Sequence, residues 1–253
     1  MYFSLQICES RSRAAMGTGM TKILDGLYLG NIRDSQNKDS LVKNGITHIL
    51  SICNNAKPVL EDMKYLCIPA FDSSNQNLDH LDLLLIQYLN SSVIFSPSKV
   101  ISRIQYFKEC IKFIHESRIN GGGCIVHCLA GVSRSTTMVV AYLMTVTDYS
   151  WEECLFAVKS VRSYANPNIN FQQQLQEFDA TLAKEYQRWL WSEYGENRFN
   201  DKQEIAKMVS QYHEKQKQLH PRYGEEQGAD QSANMYPLPY KAYGSSSQDW
   251  VNR

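Results

Sequence analysis

The stretch Gly121–Asp148, GGGCIVHCLAGVSRSTTMVVAYLMTVTD, limits the folds open to this chain more than any other. A glycine turn leads into a short apolar run, a loop of small residues follows, and a mostly apolar helical segment comes directly after it. A short apolar run bounded by glycines reads as a buried strand. A helix with so few polar positions belongs in the interior too. A buried strand that feeds a buried helix needs a sheet with helices packed against it.

The rest of the chain agrees with that requirement. KILDGLYLGN (Lys22–Asn31) reads as two short strands around a turn at Asp25–Gly26, and SQNKDSLVKNG as a polar helix stopped by Gly45. ITHILSIC (Ile46–Cys53) and MKYLCIPAF (Met63–Phe71) read as strands. FKECIKFIHESRI (Phe107–Ile119) has the apolar spacing of an amphipathic helix. In SWEECLFAVKSVRSYA, Ser150 is the N-cap and Glu153 closes a capping box. NPNINFQQQLQEFDATLAKEYQRWLWSEYG reads as one long helix after Pro167. Strands alternating with helices predict an α/β fold, with helices on both faces of a central sheet.

Three segments fit a compact domain poorly. The first fifteen residues show no periodicity. Asp79–Tyr106 is apolar and separates a strand from a helix that would ordinarily be close neighbours. From Glu196 the chain turns polar, with Pro, Gly, Ser and Gln, which predicts a largely disordered tail over 196–253. The domain itself is expected over 16–195, with 79–106 as an insertion.

Charge removes some functions. Lysine plus arginine and aspartate plus glutamate number 26 each, so nothing suggests nucleic acid or an acidic membrane as a partner. No apolar run approaches the roughly 18 residues of a membrane helix. The opening MYFSLQICESRSRAAMG does not read as a secretory signal. Seven scattered cysteines fit reduced thiols in the cytosol or nucleus, and no Cys/His spacing suggests zinc.

The loop Leu129–Arg134 then becomes the chemical centre. The first N–H groups of a helix lack internal partners and carry positive potential. Small residues at Ala130, Gly131 and Ser133 let the backbone N–H groups, Val132 included, curl around an anion. Arg134 offers a planar fork for two phosphate oxygens. Cys128, at the base, feels the same field, and its pKa is expected to fall from about 8.5 into roughly 3.5–7.5. Ser135 can hydrogen-bond to the sulfur and stabilise it as a leaving group. The arrangement suits attack on a phosphate ester through a phosphocysteine. Such chemistry needs an acid, and Asp72 in IPAFDSSNQNL stands at a strand end ahead of Ser73 and Ser74. An aspartate there can equally be a turn residue. His127 is read as structural, beneath the loop. Cys53 and Cys124 are read as small core residues rather than as oxidation partners of Cys128, and Trp189 and Trp191 as packing residues.

VHCLAGVSRS resembles the signature of the dual-specificity branch of the cysteine-dependent protein phosphatases. LDGLYLGN, GITHILSI, YLCIPAFDSSNQNL and ANPNINFQQQLQEF match the same family in order. Within it the pattern is similar to the small atypical members of the JNK-stimulatory (JNK pathway-associated) kind. The resemblance implies a central mixed sheet flanked by helices. It implies Cys128 as nucleophile, Arg134 as phosphate clamp, Asp72 as general acid and Ser135 as the hydroxyl assisting thiolate departure. Asn166 and Asn168 become supports of the catalytic loop. It implies no metal and no cofactor, and a monomer. The implied substrates are phosphotyrosine and phosphoserine/threonine proteins of the MAP kinase pathways. Sulfur transfer and arsenate reduction share the Cys-to-Arg loop but leave FDSSNQNL unexplained.

Two departures follow. MGTGMT (Met16–Thr21) fits N-myristoylation, yet Gly17 can be acylated only if translation starts at Met16. The insertion follows the acid loop, so a rival reading is a catalytically impaired phosphoprotein-binding scaffold.

Overall fold

The computed structural model describes residues 19–70, 72 and 105–219. Gly17, the insertion up to residue 104, and the tail tyrosines Tyr236, Tyr240 and Tyr243 lie outside them. The described residues up to Glu214 belong to one compact unit and 215–219 to a second.

Strands β1 (Thr21–Leu24) and β2 (Leu27–Gly30) pair antiparallel across the turn at Asp25–Gly26. A 3-10 turn (Asp34–Gln36) precedes α1 (Lys38–Lys43), whose N-cap Asn37 accepts a hydrogen bond from the Ser40 N–H at 3.1 Å. Then come β3 (Ile46–Ile52), β4 (Lys64–Ile68), α2 (Gln105–Ile119) and β5 (Gly123–His127). The helices α3 (Arg134–Val146), α4 (Trp151–Val161), α5 (Ile169–Thr181), α6 (Ala183–Tyr194) and α7 (Asp201–Leu219) complete the described chain.

The sheet order is β1-β2-β5-β3-β4. Strand β5 sits in the middle, parallel to both β2 and β3. Its alternation divides the interior: Cys124 and Val126 face the main core, while Ile125 faces a smaller one with Tyr28, Leu41, Ile46 and Ile49. The expected helices on both faces are present, but unequally. Helix α1 supplies Leu41 to the smaller core, and the remaining described helices supply the main one. Helix α3 is buried along nearly its whole length, as its composition requires. Each fully buried large apolar side chain there contributes roughly 1.5–3 kcal/mol. The capping box closes as expected: the Ser150 N–H donates to Glu153 at 2.9 Å and the Glu153 N–H to the Ser150 hydroxyl at 3.3 Å.

Three expectations need correction. The single long helix breaks at Leu182 (φ −124°, ψ −16°) into α5 and α6. The break lets Phe171, Leu175 and Phe178 and then Tyr186 and Leu190 all reach the core. The Gln187 amide, on α6, donates to the carbonyls of Met144 and Thr147 at the end of α3, each at 2.8 Å. The polar tail is not disordered throughout, because 201–219 is helix. Asp201, Ile205 and Met208 share one face at spacings of four and three, and all three are buried. Asp201 receives a bidentate pair from Arg118, at 2.7 and 2.9 Å. A composition average hides a stripe this sparse. Trp191, finally, does not pack: it is 68% exposed, whereas Trp189 lies against the core.

Candidate active site

In sheets with parallel strands, sites form beyond the carboxyl ends of the strands. Here the central strand ends at His127, so Cys128 stands at that edge with β2 on one side and β3 on the other. His127 is buried. Burial brings its pKa down to about 4, so the ring is neutral near pH 7, with Nδ1 at 3.3 Å from the Cys128 carbonyl oxygen it can donate to. The structural role read for His127 is the one its position supports.

The loop after Cys128 is held from outside by its carbonyls. The Leu129 carbonyl accepts from the Ile32 N–H at 3.4 Å, Gly131 from Arg162 Nε at 2.9 Å, and Val132 from the Asn166 N–H at 2.8 Å. In a planar trans peptide the C=O and the following N–H point opposite ways. Outward carbonyls at 129, 131 and 132 therefore aim the N–H groups of Ala130, Val132 and Ser133 inward. Gly131 takes φ 69°, which few residues with a Cβ adopt. A Cβ there would also lie 2.5 Å from both Arg162 Nη2 and the Gly30 carbonyl oxygen.

The Cys128 sulfur accepts from the Gly131 N–H and from the Ser135 hydroxyl, each at 3.2 Å. Burial alone would raise this thiol. The Ser135 hydroxyl, the Arg134 charge and backbone N–H groups outweigh it, and the pKa lies below its ordinary value.

Arg134 is buried, and one of its ends is fixed: Nη1 donates to the Ala70 carbonyl at 2.9 Å and to Asn54 Oδ1 at 3.0 Å. Its Nε has no hydrogen-bond partner among the described residues and stands 3.7 Å from Asp72 Oδ2. A buried donor without a partner costs free energy unless something else satisfies it. Asp72 sits above the loop despite the extra residues that follow it in sequence. Its Oδ1 accepts from the Ser133 hydroxyl and from Asn168 Nδ2, both at 2.8 Å.

The structure thus brings Cys128, the 129–134 loop, Ser135, Asp72 and Asn168 together. Asn168 does more than support the loop. It caps α5 by accepting from the Phe171 N–H at 3.0 Å, donates its own N–H to Ser133 Oγ at 3.2 Å, and donates Nδ2 to Asp72. Asn166 contributes only its backbone, since its side chain is exposed. The sequence reading missed Asn54 and Arg162. Nothing local marks Asn54. Arg162 stands four residues before Asn166, near the end of SWEECLFAVKSVRSYA, and carries no signal of its own. Cys53 and Cys124 are core thiols raised by burial, as read. Among the described residues no group of three His, Cys, Asp or Glu is placed to hold a metal ion.

Residues 27–181 match the dual specificity phosphatase catalytic domain. The chain belongs to the dual-specificity phosphatases. It is 53% identical to dual specificity protein phosphatase 22-A of Danio rerio over 92% of this chain and 100% of that one. It is 48% identical to dual specificity protein phosphatase 22 of Homo sapiens over 77% of this chain and 92% of that one. The crystal structure of DUSP15 is 44% identical, with a TM-score of 0.58 over 72% of this chain and all of that one. As a dual-specificity protein phosphatase the chain is a hydrolase, and its substrates are phosphoproteins.

Proposed function

We propose that Cys128, Arg134, Asp72 and Ser135 carry the hydrolysis in two steps. In the first, the Cys128 thiolate attacks phosphorus in line, an S–P bond forms, and the P–O ester bond breaks. Arg134 and the inward N–H groups hold the three equatorial oxygens. The Asp72 carboxyl gives its proton to the departing oxygen. In the second, Asp72 takes a proton from water, the water oxygen bonds to phosphorus, and the sulfur leaves as a thiolate that accepts from Ser135. The products are inorganic phosphate and the free hydroxyl.

One observation carries this reading. A buried guanidinium with an unused Nε, a sulfur with a lowered pKa and a carboxylate 3.7 Å from that Nε share one cup. The scaffold alternative is not favoured, because Asp72 stands where the chemistry requires an acid. Similarity to dual specificity protein phosphatase 22 supports substrates within MAP kinase signalling, the JNK branch first. The working unit is a single chain in the cytoplasm or nucleus, needing no cofactor. It reaches a membrane only where Gly17 becomes an acylated N-terminus.

The test is hydrolysis of an aryl phosphate and of a phosphothreonine peptide, with Cys128→Ser and Asp72→Asn alongside. Cys128→Ser should abolish both activities. Asp72→Asn should lower phosphothreonine turnover about a hundredfold and spare the aryl phosphate, whose leaving group hardly needs a proton. Equal turnover of the peptide by Asp72→Asn would remove Asp72 from the mechanism.

A further inference from the structure

Arg162 follows the end of α4 and is almost fully enclosed, at 1% exposure. Its partners come from two sources. On one side Nη1 reaches the Thr21 hydroxyl at 2.9 Å and the Leu29 carbonyl at 3.3 Å, which ties it to β1 and β2. On the other, Nε donates to the Gly131 carbonyl at 2.9 Å. The Tyr164 ring lies 4.6 Å from the guanidinium carbon, and Nη2 has no hydrogen-bond partner among the described residues. A buried cation with an unsatisfied donor is an expensive way to fill space, and an apolar side chain of similar volume would be cheaper.

What the arginine does at Gly131 explains its presence. The Gly131 carbonyl and the Val132 N–H belong to one peptide plane and point opposite ways. Pulling the carbonyl outward fixes the Val132 N–H toward the sulfur and the space above it. Ile32 and Asn166 hold the neighbouring carbonyls through neutral backbone N–H groups. Arg162 holds its carbonyl through a charged donor, roughly twice as strong as a neutral one. The same charge is held against β1 and β2, whereas Arg134 is held by Asn54 and Ala70, after β3 and β4.

We propose that Arg162 is a positioning residue for the phosphatase reaction: it sets the Gly131–Val132 peptide so that the Val132 N–H faces the phosphate, and its charge adds to the positive field around the Cys128 sulfur. The inference rests on Cys128 being the nucleophile. Charge coupling agrees with it. Burial pushes the guanidinium below its usual value, while Tyr164, Asp34 and Cys128 push it back. The groups coupled to the sulfur are the Ser135 hydroxyl and Arg134 from α3, Cys53 after β3 and Arg162 itself; Asp72 after β4 lies against Arg134, and His127 of β5 against the Cys128 carbonyl.

The experiment compares the unaltered full chain with Arg162→Met, Arg162→Lys and Cys128→Ser. Three quantities are measured: the pH midpoint of Cys128 alkylation by iodoacetamide, located by mass spectrometry; inhibition of aryl phosphate turnover by inorganic phosphate; and the melting temperature. In Arg162→Met the alkylation midpoint should rise by about one unit and phosphate inhibition weaken about tenfold. In Arg162→Lys the charge remains but one ammonium cannot grip both the strands and the Gly131 carbonyl. The midpoint should stay near that of the unaltered chain while phosphate inhibition stays weak. A lower melting temperature with midpoint and phosphate inhibition both unchanged, in either variant, would reduce Arg162 to a structural residue and overturn the proposal. If Arg162→Met does not fold, phosphate inhibition of Arg162→Lys decides alone. Turnover that survives in Cys128→Ser would defeat the nucleophile assignment and the charge half of the proposal with it, while phosphate inhibition in the Arg162 variants would still decide the Gly131–Val132 geometry.

Discussion

Two buried arginines face two aspartates on opposite ends of α3, and their bonding differs. At the carboxyl edge of the sheet, Arg134 meets Asp72 through one 3.7 Å approach, its Nε has no hydrogen-bond partner among the described residues, and the aspartate side chain is 34% exposed. At the far end, Arg118 grips Asp201 at 2.7 and 2.9 Å, donates to the Tyr142 hydroxyl and the Asp25 carbonyl at 2.7 Å each, and lies 4.1 Å from the Phe199 ring. Both members of that pair are almost wholly enclosed, at 0% and 3% exposure. Every nitrogen of that guanidinium is engaged, and the pair fastens α7 to α2 and α3. On the proposed mechanism, the unsaturated pair keeps its donor for a phosphate, and the same two residue types serve cohesion or catalysis according to how many of their bonds the protein itself completes.

The sharpest way to break this contrast is to remove one member of each pair. Arg134→Ala should lower kcat about a thousandfold, since a charged donor to the transition state is lost. Its melting temperature should fall less than that of Asp201→Ala. Asp201→Ala strands the Arg118 charge in the interior and should cost about 3–5 kcal/mol, a fall on the order of 10 °C. Its kcat well below the melt should stay near the parent value. If Asp201→Ala lost as much kcat as Arg134→Ala, the two ends of α3 would not be separable. Asn168→Ala tests how firmly the front pair is held. The phosphothreonine activity should drop about tenfold as the acid loses one of its two anchors, and the lost cap should cost about 1 kcal/mol of stability.

The smallest effect is a slope with pH. Burial and then the Arg118 charge bring His115 down to about 4, and burial brings His127 to about 4, both from 6.5. The unfolded chain therefore binds protons at these positions before the folded one does. The stability they contribute is complete above about pH 6.5 and is lost as pH falls toward 4. His115 faces Arg118, Asp201, Glu116 and Tyr142. Melting temperature should decline between pH 6.5 and 4, and His115→Gln should make that decline shallower. An unchanged decline in His115→Gln would assign the slope to other groups.

Much of the front of the molecule was legible because its determinants are local. The glycine turn, β5, the loop and α3 are consecutive, and the capping box at Ser150 spans four residues. Asp72 was readable as a candidate because a strand ended there and because YLCIPAFDSSNQNL matches the family pattern. The back was not legible. Arg118 and Asp201 are 83 residues apart, and neither position has a pattern that names the other. Helix α7 was missed because three inward residues carry it while the rest of its surface is polar. The break at Leu182 follows from where α3 ends, which is a tertiary fact. Arg162 belongs with these: its partners Thr21, Leu29 and Gly131 come from three separate segments.

The order of the strands also has a consequence for the newly made chain. Strand β5 lies between β2 and β3, yet it is the last strand of the sheet to leave the ribosome. Until it arrives, β1–β2 and β3–β4 are two separate pairs with an empty lane between them. Closing parallel neighbours so distant in sequence is slow, because the loop entropy must be overcome first. The hydroxyl, the guanidinium and the inward N–H groups that activate Cys128 are assembled by that same closure. Until that closure the Cys128 thiol is an ordinary cysteine, and its lowered pKa is acquired only when the last strand slots home.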